Sequence, residues 1–368
     1  MRKSAAGVLF LITAALFLTT AGILFLKGNP RLRDIWAEKT GTEKTEQTRY
    51  TATFLDVFDT RTEIMGYGNS EEEFLEQAEL LKEKLWYYHR LFDIYNEYEG
   101  IQNVKTINDQ AGKAPVKVEP EMIEFLKFCK DMYGRTEAQT NIAMGSVLSI
   151  WHDYREYGVE NPESASLPSM AELTEANGHT DFDHVIIDEE AGTVFLEDES
   201  MSLDVGGIGK GYAVEKTAQY AKELGMEHLL MSVGGNVCAV GGKMDGTDWK
   251  VGIQNPDMEA EEKYIEKVLI RDVSVVTSGN YQRYYTVDGK RYCHIIDPDT
   301  LMPAEYAASV TIIAADSGLA DAMSTAVYNM PLDEGMDFVN SMGELEAMWV
   351  LEDGTVYYSE HFHDYMEK

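Results

Sequence analysis

Cysteine is scarce in this chain, and so is positive charge. Cys129, Cys238 and Cys293 are the only three in 368 residues. An odd number without paired spacing excludes a disulfide framework and a zinc site of the usual pattern. Cys129 falls on the apolar face of a helical pattern and Cys238 in a strand-like run, so both read as core. Cys293 abuts His294, but neighbours along a strand point to opposite faces, which is poor geometry for a Cys/His nucleophile. Lys and Arg total 31 against 64 Asp and Glu, a formal charge of −33. That excess excludes nucleic acid as a partner and reads as a solvated surface. Any phosphate ligand would need compensation from a metal, a lysine or backbone amides. The common nucleotide motifs are missing too: Gly211 follows Lys210 where a P-loop needs Ser or Thr, and the glycine spacing is not Gly-x-Gly-x-x-Gly. No internal repeat is present.

What is there begins with an uncharged, mostly apolar run from Gly7 to Leu26, behind Arg2 and Lys3. It is about as long as a bilayer core is thick. More apolar residues follow the only candidate cleavage site, so residues 1–27 read as an uncleaved membrane anchor. Residues 28–49 are polar and aperiodic, a linker, and residues 50–368 are globular in composition. A hydrophobic share of 44% is ample for a core. Basic residues flank both ends of the anchor and leave its orientation weakly specified.

Within the globular part, Ser70-Glu-Glu-Glu73 predicts a capping box ahead of a helix whose stripe runs through Phe74, Ala78, Leu81, Leu85, Tyr88 and Phe92. A second helix follows Pro120, with Ile123, Leu126 and Cys129 on one side. Later, Val185–Asp188 and Thr193–Leu196 read as paired strands and Gly211–Leu224 as a helix closed by Gly225. Strands are predicted near 228–233, 249–253, 267–270, 274–277, 284–287, 292–296 and 309–314, with a hairpin around Asp353-Gly354. Many hairpins around few helices indicate an α+β fold of mixed, largely antiparallel sheets, not a doubly wound one.

Four segments carry chemistry. Asp204-Val-Gly-Gly-Ile-Gly-Lys-Gly-Tyr-Ala213 crowds glycines and a lysine between an apolar run and a helix, a place that suits phosphate, although such a turn also serves as a plain strand-to-helix connection. Ser232-Val-Gly-Gly-Asn236 adds a second glycine pair. Thr277-Ser-Gly-Asn-Tyr-Gln-Arg-Tyr284 leads on to His294-Ile-Ile-Asp-Pro298. Ala320-Asp-Ala-Met-Ser-Thr325 lies on a predicted helix, where Asp321 and Thr325 share a face and can offer two oxygens to one cation. Magnesium suits so sparse a set because it keeps waters and substrate phosphates as further ligands.

The same elements in the same order resemble the ApbE family, flavin transferases that attach FMN from FAD through a phosphoester to a threonine or serine of another protein. The resemblance runs from about Phe54 to about Val339. It implies a single T-fold-like catalytic domain outside the membrane, with FAD as substrate, AMP as product and an exported redox subunit or extracytoplasmic flavoprotein as acceptor. It also implies Mg2+ held by Asp321, Thr325 and the Gly209 carbonyl, with Tyr95 against the flavin and Asp204 at the cofactor. Lys210 would reach the pyrophosphate; Gly234, Gly235, Asn236, Thr277, Ser278 and Gly279 would line the flavin or phosphate region. Asn141 stands where the family usually has aspartate, so no role passes to it. Transfer needs a base at the acceptor hydroxyl; His294 is the candidate, with Asp297 as its orienter or as an alternative base. The same site with water in place of the acceptor would be an FAD pyrophosphatase, and without chemistry a flavin-holding protein.

Overall fold

The computed structural model describes residues 47–367; the predicted membrane segment and nearly all of the linker lie outside them. Among the described residues no helix is long and apolar enough to cross a membrane. In chain order the elements are β1 (Thr48–Val57), β2 (Thr60–Gly68), α1 (Glu71–Phe92), α2 (Val104–Asp109), β3 (Val116–Lys117), α3 (Pro120–Arg135), α4 (Gly145–Glu160), α5 (Met170–Asn177), β4 (Val185–Asp188) and β5 (Thr193–Leu196). The second half holds α6 (Gly209–Glu223), β6 (Leu229–Val233), β7 (Asn236–Val240), β8 (Trp249–Gln254), β9 (Tyr264–Ile270), β10 (Ser274–Gly279), β11 (Tyr284–Val287), β12 (Lys290–Cys293), β13 (Ser309–Ala314), α7 (Ser317–Tyr328), α8 (Leu332–Met342), β14 (Leu345–Val350) and β15 (Val356–Tyr358). This is the mixed α+β architecture that the hairpin spacing predicts.

An eight-stranded sheet in the order β1-β2-β6-β7-β10-β13-β14-β15 organises the molecule, and its pairings from β2 to β15 are antiparallel. β13 is buried at every position because the sheet is covered on both faces. Val276, Val310, Ile312 and Ala314 pack into the cluster that contains Ala213 and Val214 of α6 and Ala320 and Met323 of α7. Val275, Ile313 and Met348, pointing the other way, pack with Trp249, Val251 and Val268 of the β8–β9 hairpin. A third cluster joins Trp151 of α4 and Leu173 near α5 to Tyr285 and Val287 of β11. Thus α6 and α7 lie on one sheet face, and the small β11–β12 hairpin is carried by α4.

Local rules explain most boundaries. Ser70 Oγ accepts the Glu73 amide at 3.1 Å, while Glu73 reaches back to the Asn69 amide at 3.2 Å, one residue before the partner a strict capping box uses. The predicted strand 292–296 is shorter than its apolar content suggests. β12 stops at Cys293: the His294 N–H bond to Arg283 O still follows the β11–β12 register, but beyond it Ile296 pairs only as an isolated bridge with Pro303. α6 starts at Gly209, two residues before the predicted start, since glycine lowers helical propensity without forbidding the first turn.

Candidate active site

The site grows from the close approach of α6 to α7. A Cβ on Gly211 would lie 2.3 Å from both Asp321 Cβ and Ser317 O, so only glycine lets the helices meet here. The contact allows Gly211 N–H to donate to Asp321 Oδ2 at 2.7 Å. Asp321 is 4% exposed, and its other oxygen lies 3.9 Å from Lys210 Nζ, the cation that a buried carboxylate requires. One turn further along α7, Thr325 Oγ1 donates to the Gly207 carbonyl at 3.1 Å. Thr325 thus meets the Gly207 carbonyl, two residues before Gly209, whose carbonyl the resemblance implies as the third ligand. Gly209 has already entered α6, its amide bonded to Val205 O, and a first-turn helical carbonyl points along the axis to the residue four ahead. A carboxylate, a hydroxyl and a main-chain carbonyl make a hard-oxygen set that fits magnesium. Among the described residues no three His, Cys, Asp or Glu side chains gather to hold a metal, so a cation here would draw its remaining ligands from water and substrate.

Beside this wall, Ser278 Oγ lies 2.9 Å from Ser324 Oγ on α7, and the Ser324 hydroxyl donates to Asp321 O. Thr277 differs: its hydroxyl pairs with Thr311 Oγ1 at 2.9 Å, on the sheet face of Val275 that the β8–β9 hairpin covers. Only the main chain of Thr277 is left for a ligand on the helix face. Gly279 closes β10, where a Cβ would meet the Tyr281 ring at 2.5 Å. Gly234 and Gly235, at φ 55° and 96°, form the two-residue turn between β6 and β7 that positive φ at both positions favours. Asn236, next in the chain, is 3% exposed, and its Nδ2 has no hydrogen-bond partner among the described residues. It falls on the same face as Cys238, beneath α6 and α7.

The opposite wall carries His294. Arg283 O accepts both the His294 amide, at 3.1 Å, and the ring Nδ1–H, at 3.2 Å. That fixes the tautomer and leaves Nε2 free. Burial, then the charges of Arg283, Arg155 and Lys210, push the His294 pKa down to about 3. The ring is neutral at pH 7 and can take a proton. Asp297 does not orient it: Oδ1 accepts the Asp299 and Thr300 amides, and Oδ2 accepts the Tyr306 hydroxyl at 3.2 Å. Its pattern is that of a loop-closing aspartate, 2% exposed.

Tyr95 is presented by an Asx turn, in which Asp93 Oδ1 accepts the Tyr95 and Asn96 amides. Its ring, 60% exposed, tilts over that of His152 with centroids 5.5 Å apart. Arg155 Nη2 lies 2.8 Å from His152 Nδ1. Asp204 is half-buried, with Oδ1 accepting the Gly206 amide at 2.8 Å. Burial raises its pKa, and Gly206 N–H, His152, Arg155 and Arg283 oppose that rise. Asn141 shapes the neighbouring loop through Ala143 N–H and Thr180 O.

Sequence reasoning did not assign Arg155, Arg283, His152 or Gly207. The signal for Arg283 was present: a cation embedded in a glycine- and hydroxyl-rich segment of a very acidic chain. Arg155 had none, since its helical surroundings read as an ordinary solvated face.

Comparison with known proteins gives consistent results. The model of the ApbE family matches residues 48–349. An FAD:protein FMN transferase of Klebsiella pneumoniae is 30% identical over 269 residues, covering 71% of this chain and 81% of that protein. One from Treponema pallidum is 32% identical over 266 residues, with 68% and 71% covered. The crystal structure of the ApbE protein from Thermotoga maritima superposes with a TM-score of 0.76 at 29% identity, over 87% of this chain and all of that one.

Proposed function

The chain belongs to the ApbE family, and from that membership we propose that it transfers FMN from FAD to a threonine or serine hydroxyl of an acceptor protein. The observation that carries the mechanism is a neutral His294 whose Nε2 is free, beside Arg283, Arg155 and Lys210. Nε2 takes the proton of the acceptor hydroxyl. The hydroxyl oxygen bonds to the FMN-side phosphorus, and the bond from that phosphorus to the bridging oxygen breaks, releasing AMP with the electron pair. Tyr95 offers a flat aromatic surface to the flavin ring, and in the Gly206–Gly211 turn the Gly207 and Lys210 amides, those not already bonded among the described residues, are available to phosphate oxygens.

Asp321, Thr325 and a main-chain carbonyl of the glycine turn, that of Gly209 as the resemblance implies, would hold Mg2+, which, when bound, offsets charge on the pyrophosphate. Lys210, 3.9 Å from Asp321 Oδ1, stands where it can do the same from the protein. The apolar run Gly7–Leu26 supports a membrane anchor with the catalytic domain outside the cytoplasm. The acceptor is then an exported flavoprotein. Incubation with FAD, magnesium and a candidate acceptor, followed by mass measurement of the acceptor and quantification of AMP, tests the reading. The expected result is an FMN adduct on one hydroxyl and one AMP per adduct. AMP and free FMN with no adduct would make the protein a pyrophosphatase.

A further inference from the structure

We infer that Arg155 and Arg283 form a two-guanidinium clamp for the FMN-side phosphoryl group of FAD, a role that rests on the transfer reading above. Arg283 immediately precedes β11, and its carbonyl already holds both N–H groups of His294. Arg155 lies on α4, which packs against β11 so closely that a Cβ on Gly158 would fall 2.6 Å from the Tyr285 ring. The α4–β11 contact thus brings the two arginines to the wall that carries the base. Their mutual repulsion and their joint action on His294 and Asp204 agree with that placement.

What marks them is the want of a carboxylate beside the base; Arg49, Arg90 and Arg291 also lack ion pairs, but Arg90 donates to Trp86 O and Arg291 lies over the Tyr284 ring. Arg61, Arg135 and Arg271 each hold a carboxylate. Among the described residues neither Arg155 nor Arg283 makes an ion pair within 4.0 Å, in a chain with 64 acidic residues. Arg155 contacts the His152 ring instead. Of the carboxylates that act on Arg155, Glu156 and Asp204, neither forms an ion pair with it, and Asp204 spends one oxygen on Gly206 N–H. Like charges held together without an intervening anion are unfavourable until one arrives.

The reaction supplies that anion at this point. For Nε2 of His294 to take the acceptor proton, the acceptor oxygen must lie within hydrogen-bond reach of it. The phosphorus under attack is then next to His294, with its non-bridging oxygens towards the guanidiniums of that wall. Planar guanidinium forks match phosphoryl oxygens and remain charged throughout. Lys210, beside Asp321, belongs to the other wall.

The test measures flavin fluorescence on titrating wild type, Arg155→Gln, Arg283→Gln and the matching Lys variants with FAD, FMN and riboflavin, in EDTA. Each Gln variant should bind FAD and FMN about tenfold or more weakly, the scale of a lost charge-assisted hydrogen bond. Riboflavin affinity should stay unchanged, and the Lys variants should recover part of the loss. Thermal unfolding at the wild-type temperature would show that folding is intact. Parallel loss of riboflavin binding, or FAD affinity equal to wild type, overturns the clamp and leaves the transfer reading standing. A wild type that binds no FAD overturns the transfer reading and the clamp with it.

Discussion

The two walls of the site are built on opposite plans. On the α6–α7 wall each polar group is anchored: Asp321 by Gly211 N–H, Thr325 by Gly207 O, Ser324 by Asp321 O. Between helices that only a glycine allows to touch, little side-chain freedom is left. The α4–hairpin wall holds its one fixed element, His294, by a main-chain carbonyl, and surrounds it with cations that lack ion-pair partners. The contrast teaches a division of labour. A hard cation of the kind proposed for the α6–α7 wall would need oxygens that do not have to reorganise, and that wall supplies them already fixed. A group proposed to meet two successive partners, a flavin phosphate and an acceptor hydroxyl, instead keeps a free Nε2.

The largest effect should come from the anchored wall. Asp321→Ala removes the carboxylate proposed to hold the cation and should abolish transfer even at saturating magnesium. The fold should persist by circular dichroism, at a cost of about 1–3 kcal/mol for the orphaned Gly211 amide. Near-normal turnover would remove this wall from the chemistry.

His294→Ala, on the open wall, should slow transfer by about a hundredfold or more while FAD affinity, read by fluorescence, stays within about twofold. Equal losses in both would make His294 a binding group.

A subtler change separates charge from chemistry. With its pKa held near 3 by burial and by Arg283, Arg155 and Lys210, His294 should impose no acid limb on kcat/KM in the ordinary histidine range. Arg283→Gln relieves one repulsion, so an acid limb should move towards neutral pH. Stability follows the same linkage: the unfolded histidine, with a pKa of about 6.5, binds the proton that the folded ring refuses. This group therefore lowers stability progressively as pH falls from about 6.5 towards 3. A pH–rate profile and a pH series of unfolding midpoints measure the two effects. Identical profiles for variant and wild type would show that Arg283 does not act on His294.

The smallest effect on turnover should come from deleting residues 1–33, which touches neither wall. The truncated protein should be soluble with kcat unchanged, while the full chain fractionates with membranes and its globular part is cut by protease added outside intact cells. Protection of that part until lysis would reverse the proposed orientation.

Much of the fold was legible in the chain because its signals are local. β4, β5, β11 and β13 occupy the predicted residues, and the α1 stripe is core. These follow from alternation, helical period and turn chemistry. The early end of β12 was not legible, because Ile295 and Ile296 extend the strand-like run and only the folded chain sets Ile296 against Pro303 and not against β11.

The site divides along the same line. Sequence by itself determined that Asp321 and Thr325 share a helix face, that glycines permit close approach around Lys210, and that a histidine stands ready in an acidic chain, since each rests on spacing within a few residues. Only the tertiary structure decided that the carbonyl meeting Thr325 is Gly207's, that Asp297 closes a loop, that the Thr277 hydroxyl faces away from α7, and that the Arg283 carbonyl holds the His294 ring. Those facts depend on which elements pack together and in what register, and they are set by burial summed over the whole chain, beyond the reach of any local pattern.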